Sequence, residues 1–447
     1  MTRDEKRARE ISVLWKTESA SGVDIFPTRA AVQATANLGC DMAEAGPLLR
    51  EAESAFQNES WDELLGRIAR INALIVARLQ DVRATEPASW DAYRHAIPGD
   101  GRRTPVPISH ERYEDCVRGS WIGKCIGTAL GDPVEGWTSE RIEQEHGRVR
   151  DYIVPPKIEN DDTAYPILVL HSLDEYGPTF TSAQLAWEWV EHLPLAFTAE
   201  WAALENVKAG VLPPESRWFR NPCGAWVGAQ MRGEIHGLIA PLAPEKAAEL
   251  AFRDAVISHY QEGLDGAVYA AALTSLAFAA PSIEDLLHAA LAYVPPGGRF
   301  ARTVSDTMAW CRRHRTWEGV YAEIREHLKP YHWIHTLPSI ACVVAGLMLG
   351  NGDFEESLLL TLRCGYDTDC TAGQTGALLG TLLGASRIPE KWKGPIRNKF
   401  ESYVIGFEEI TFDRLTAWTC EWGQRLSSHR LPETKPEERT SREEGRQ

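Results

Sequence analysis

The apolar positions of this chain recur at helical spacing nearly throughout, and no alternating run is long enough to make a sheet. Leu64, Ile68, Ile71, Leu74, Ile75 and Leu79 form one such stripe, and Ser60 with Glu63 before it reads as a capping box. Two stretches depart from the ordinary amphipathic pattern. The first begins near Ser109 and runs through ERYEDCVRGSWIGKCIGTALG, with glycines at 119, 123, 127 and 131. The second, GYDTDCTAGQTGALLGTLLG over 365–384, places Gly376, Gly380 and Gly384 in a small-residue helix. A helix-interior glycine costs roughly 1 kcal/mol relative to alanine. Glycines spaced by four lie along one face, so each helix offers its bare backbone to a neighbour. The two are expected to pack on each other, in an all-α fold.

Other patterns extend the helical reading. An alanine-rich helix follows Pro241 and Pro244 and ends at Ser258-His259. Further helices are expected over Ala267–Ala280, Trp317–Leu328 and Thr336–Leu349. Pro166 fits only the first turn of a helix, which places a helix start near Thr163. The chain divides into a helical extension over 1–108, a main all-α domain over 109–430, and a tail over 431–447. A Pro/Gly-rich connection from Ile97 to Pro107 closes the extension, and Gly22–Pro27 punctuates it. The extension holds no catalytic constellation and is expected to serve structure or oligomerisation. The tail, charged and without apolar anchors, is expected to be disordered.

Composition narrows the function. The 447 residues are 44% apolar with sixteen tryptophans, enough for a large core. A formal charge of −16, from 47 basic and 63 acidic residues, argues against a nucleic-acid partner and favours cations. Nine cysteines without CxxC or zinc spacing read as reduced thiols, and the expected location is cytoplasmic. The N-terminal segment lacks the apolar core of a signal peptide, and no run approaches the ~18 apolar residues of a membrane span.

Two acidic clusters carry the chemistry. Asp367-Thr368-Asp369 stands just before the second glycine-bearing helix. One such residue suffices to cap a helix, whereas two carboxylates flanking a hydroxyl suit a hard cation. Asn160-Asp161-Asp162-Thr163 stands before another apolar helix, with its carboxylates at the helix mouth. Glu135 follows the first glycine-faced helix in the loop GDPVEGW. Two metal-enzyme patterns are missing. The DDxxD signature of terpene synthases fails because its fifth position is Tyr165, and the His-Asp pair of HD phosphohydrolases does not occur.

GTALGDPVEGW, ENDDT, GAQMR, Ser258-His259 and GYDTDC stand in an order and spacing that resembles the ADP-ribosylglycohydrolase family over residues ~110 to ~430. The resemblance implies a compact all-α bundle holding two Mg²⁺ or Mn²⁺ ions, which cleaves the ribosyl C1 bond of a small glycoside or ADP-ribose derivative. It implies metal ligation by Asn160, Asp161, Asp162, Asp367 and Asp369, and catalytic work by Glu135 and Asp162. His259, Gln230, Arg232, Trp226 and Tyr366 become expected substrate contacts, although His259 also reads as a satisfied helix-end residue and the aromatics as core. The chain departs from the family pattern at Asn160, in place of Ser or Thr, and at Cys370, in place of Thr. It departs also in the short spacer between Asp132 and Glu135 and at Tyr366, in place of glycine. Tyr366 is expected to narrow the cleft against bulky substrates. The alternative is a non-catalytic descendant that binds a metal or ligand.

Overall fold

The helices His110–Gly131 and Thr368–Leu383 run antiparallel with bare backbone between them. A Cβ on Gly119 would collide with the Gly380 carbonyl, on Gly123 with that of Gly376, and on Gly127 with that of Ala372. At the far end, a Cβ on Gly131 would meet the Thr368 carbonyl. The expected pairing of the glycine-faced helices is therefore observed. Gly384, expected inside the second helix, instead terminates it with φ of 84°, a left-handed conformation that suits glycine.

This is the computed structural model of the chain, and it describes residues 3–17, 27–99, 108–280 and 282–426. The architecture is all-α. A two-residue antiparallel ladder, Phe400–Glu401 with Glu409–Ile410, is the only sheet among the described residues. The charged tail after Leu431, most of the connection before Pro107 and most of the 22–27 segment lie outside them. Around the central pair, the helices Gln261–Ala277, Thr336–Gly350 and Phe354–Leu362 complete one large apolar core.

Several helix boundaries differ from the sequence reading. The helix expected near Thr163 is Asp161–Tyr176, because the Asn160 side chain caps it by accepting from the Asp162 N–H at 2.8 Å. Pro166 consequently sits in the second turn, where it forgoes one ladder hydrogen bond. Ser60 precedes the helix Trp61–Arg83 but makes no side-chain cap, so the capping box is not formed. The helix expected to end at Ser258-His259 is Pro244–Ala255, which leaves His259 in the loop beyond it.

The N-terminal helices dock onto the main body. Trp218, Ala225 and Tyr260 share an apolar cluster with Ala31, Leu38 and Leu79. Polar contacts secure the same face: Arg217 Nη2 donates to the Pro87 carbonyl at 2.8 Å, and the Tyr93 hydroxyl to Asp265 at 2.8 Å.

Two glycine substitutions should have opposite effects. Gly66, exposed in the helix Trp61–Arg83, has open space around a Cβ, so Gly66→Ala should stabilise by up to about 1 kcal/mol. Gly123→Ala forces a methyl group into the Gly376 backbone and should destabilise by about 1–3 kcal/mol or more. Urea unfolding of both variants checks the pair. Equal effects would mean that the two helices are not in backbone contact.

Candidate active site

The backbone seam fixes what stands at its end. Thr368 Oγ1 donates to the Gly131 carbonyl at 2.8 Å, joining the start of one helix to the finish of the other. Beyond Gly131 the chain makes a short 3-10 turn, Asp132–Val134, and delivers Glu135. The next residues pair with the acidic turn. Gly136 N–H donates to the Tyr366 carbonyl at 2.9 Å, and Tyr366 N–H to the Trp137 carbonyl at 3.1 Å. Glu135 is thereby held close enough to Asp367 to repel its charge.

These elements border a cleft of about 350 Å³. Asp132, Glu135, Glu159, Asp161, Glu200, Asp367 and Asp369 line it, with Lys157 as the one lining cation among the described residues. Phe197, Tyr403 and the bare Gly228 complete its wall. A larger surface groove, about 420 Å³, is lined by Glu143, Arg148, Arg363 and Glu355. Its charges are of both signs, and Arg363 pairs with Glu318 there at 2.8 Å.

The two acidic clusters meet in the cleft. Asn160 Nδ2 donates to Asp369 Oδ2 at 3.1 Å across 209 residues of chain. Asp367 holds the cap position of its helix but makes no side-chain cap. One oxygen of Asp367, one of Asp369 and both of Asp162 are buried without a hydrogen-bond donor among the described residues. Among the described residues, the Asp162 carboxylate has an ion pair to buried Lys124, at 3.6 Å. Carboxylates buried this way are expensive unless a cation compensates them.

Their proton affinities respond accordingly. Burial, then repulsion from Asp369 and Glu200, pushes Asp161 up to about 7. Burial, then Asp369 and Glu135, raises Asp367 well above the usual carboxylate range. The donor set fits a hard divalent ion: carboxylate oxygens, the Asn160 amide oxygen and nearby carboxylates in excess. Cys370 stands within 4.8 Å of the Asp162 and Asp369 oxygens, but burial and the surrounding aspartates keep its thiol protonated. A neutral thiol is a poor ligand for such ions.

The sequence model of ADP-ribosylglycohydrolase matches residues 109–422 of this chain. The chain belongs to the ADP-ribosylglycohydrolase family. Its fold is accordingly of the glycohydrolase type. An uncharacterized protein of Archaeoglobus fulgidus is 25% identical over 300 residues, spanning 65% of this chain and 92% of its own length. A solved structure, an ADP-ribosylglycohydrolase-related protein complex, is 21% identical and superposes with a TM-score of 0.52. It covers 70% of this chain and 99% of that one, a likeness of fold. The N-terminal helices lie outside the matched region.

Within the family fold, Glu135, Asn160, Asp161, Asp367 and Asp369 all reach the cleft. Asp162 is fully buried just beneath the lining, with one carboxylate oxygen within 4.8 Å of an Asp369 oxygen and Lys124 3.6 Å away. The expected substrate contacts are corrected. Trp226 is buried and stacks on His332 at 4.5 Å. Gln230 is buried, donating to Gln374 at 2.7 Å. His259 is buried, with its Nε2 accepting from the Ala229 N–H at 3.3 Å and its Nδ1 2.7 Å from Ser258 Oγ. Arg232 is 1% exposed and anchors a network under the cleft floor. It donates to Asp254 Oδ1 at 3.0 Å, to the Gly228 carbonyl at 2.8 Å, to Ser258 and to Glu200.

Tyr366 is corrected as well. Its φ of 64° turns the ring away from the cleft and onto Trp317, Tyr321, Cys342, Leu360 and Cys364. The narrowing of the cleft expected from Tyr366 therefore has no basis in the structure. Sequence reasoning missed Glu200, Tyr403 and Lys124. Lys124, a lone cation in a run of small and apolar residues, was a readable signal, while Glu200 and Tyr403 had none.

Two predictions arise here. Asp161 ionises near 4 when unfolded but near 7 when folded, so folded protein binds more protons between those values. In EDTA, this group's contribution should make stability fall as pH rises from about 4 to about 7, and Asp161→Asn should flatten that fall. Urea titrations across that range measure it, and parallel curves for the two proteins would refute the assignment. Arg232→Ala should destabilise by on the order of 3–5 kcal/mol, since it strands buried Glu200 and Asp254. A substrate-contact arginine would instead leave unfolding unchanged.

Proposed function

We propose that the cleft hydrolyses the ribosyl C1 bond of an ADP-ribosyl compound or related small N- or O-glycoside, with two Mg²⁺ or Mn²⁺ ions. The observation that supports this most is the meeting of two helix-mouth acidic clusters in one cleft, with buried oxygens lacking donors. Asn160, Asp161, Asp162, Asp367 and Asp369 would hold the ions. When bound, such ions supply positive charge that fixes a ribose diol and lowers the pKa of a bound water.

The chain's own residues have distinct tasks. Glu135, half-buried at the rim, takes a proton from the attacking water and passes it to the departing group. Hydrolysis then balances: water's oxygen joins C1, the glycosidic bond breaks, and the leaving atom gains the proton. Short spacing between Asp132 and Glu135 does not prevent this role, because the loop's pairing with residues 365–366 sets where Glu135 lies. Gly228 leaves the floor open where a side chain would strike Glu200. Phe197 and Tyr403 offer flat faces to the sugar or base. The cleft volume lies in the range of small-ligand sites, which favours a metabolite-sized glycoside.

The test is a turnover screen of Mg²⁺- or Mn²⁺-loaded protein against ADP-ribosyl-arginine, ADP-ribosyl-serine, O-acetyl-ADP-ribose and nucleosides. Glu135→Gln should keep the fold and metal-linked thermal stabilisation while losing turnover by about 10²-fold or more. Native-state ion binding at a hundredfold excess over Kd should add about 2.7 kcal/mol. Metal stabilisation without turnover of any substrate would favour the non-catalytic reading. Identical melts in EDTA and in magnesium would count against the metal site itself.

A further inference from the structure

A second group of metal-ligating side chains lies farther along the helix that carries Asp161, about three turns from it. His171 on Asp161–Tyr176 faces Glu188 and His192 on the neighbouring helix Ser182–His192. One ligating atom from each lies within 4.8 Å of the others. Glu188 is 1% exposed. His171 Nδ1 touches Glu188 Oε2 at 2.5 Å, and His192 Nε2 stands 3.5 Å from the same oxygen.

The outer contacts fix which ring nitrogen faces inward. His192 Nδ1 is 2.8 Å from the Ile405 carbonyl, which only accepts, so Nδ1 carries the hydrogen and donates. In the neutral ring, Nε2 then presents a lone pair toward a buried carboxylate. That lone pair faces Glu188 Oε2 across 3.5 Å, a separation that a cation can bridge. His171 Nε2 points toward Glu175, 3.8 Å away, leaving Nδ1 for the interior. Such outer partners orient imidazoles in metal sites. Two histidines and a carboxylate with an open position suit zinc, with bonds of about 2.0–2.1 Å and ligand atoms therefore about 3.3 Å apart. The Glu188–His192 separation already fits, and His171 needs to move out by about 0.8 Å.

We propose that His171, Glu188 and His192 form a zinc-class transition-metal site separate from the acidic cleft. Its place in the fold suggests its use. Ile405 N–H also donates to the His192 carbonyl at 2.9 Å, and Phe407 packs on both histidine rings. The loop held in this way carries Tyr403, which lines the cleft. Zinc here fastens that loop to the helix whose first turn presents Asp161.

Zinc chloride titration of the EDTA-stripped full chain, in excess Mg²⁺ and read by equilibrium dialysis, tests this. One equivalent of zinc should bind at micromolar concentration and resist displacement by magnesium. Bound Co²⁺ in its place should show visible d–d absorption. His171→Gln and His192→Gln, both at half-exposed positions, should each weaken zinc binding by about 100-fold or more. Asp369→Asn, in the cleft, should leave it unchanged. If one histidine variant fails to fold, the other carries the comparison. Absence of zinc uptake by the folded wild-type chain, uptake unaltered in His171→Gln, or uptake lost in Asp369→Asn would each overturn the proposal.

Discussion

Everything near the cleft depends on the backbone contact between His110–Gly131 and Thr368–Leu383. Side chains usually set the distance between helices at 8–10 Å, and this pair instead meets backbone to backbone at its glycines. The carbonyls of one helix rest against the Cα atoms of the other, so sliding by one residue meets a side chain at once. That makes the end of the pair a fixed point in the molecule. Glu135 and the Asp367 turn both grow from it, one leaving the first helix and one entering the second.

Two buried polar networks lie near each other, and their hydrogen bonding separates scaffold from chemistry. Around Arg232 the polar atoms find partners: Glu200, Asp254, Ser258 and the Gly228 carbonyl receive its donors. Around Asp369 they do so only in part: Asn160 donates to one of its oxygens, while the other, both of Asp162 and one of Asp367 are buried without donors among the described residues. A satisfied network rigidifies what surrounds it, whereas an unsatisfied one stores a demand for positive charge. Glu200 belongs to both, since it is gripped by Arg232 from below and borders the cleft above.

The sequence was informative wherever function rests on short-range pattern. The spacing of glycines by four was enough to pair two helices separated by some 240 residues, because only close backbone approach explains their cost. The acidic clusters were legible because both sit at helix mouths. Residues reached through tertiary geometry were not. GAQMR and Ser258-His259 read as substrate contacts from their place in a family pattern, yet burial decides their role, and burial of single polar residues leaves no periodic trace. Tyr366 was misread for a related reason. Its side-chain direction follows from a left-handed backbone, which sequence suggests for glycine and not for tyrosine. Ser60 and Glu63 have the spacing of a capping box, yet Ser60 makes no side-chain cap, as tertiary contacts hold that helix instead.

The pairing of Gly136 and Trp137 with Tyr366 has a kinetic consequence. A hinged acidic loop in an enzyme ordinarily swings to admit substrate while the ion-binding residues stay put. Here the loop bearing Glu135 and the turn bearing Asp367 are laced together through main-chain amides. Displacing one drags the other or breaks both bonds. If the proposed function holds, admission of a ligand past Glu135 and release of an ion from Asp367 would draw on the same opening event. Such a site would trade residence time of a bound ion against speed of ligand exchange, through hydrogen bonds made by the peptide backbone alone.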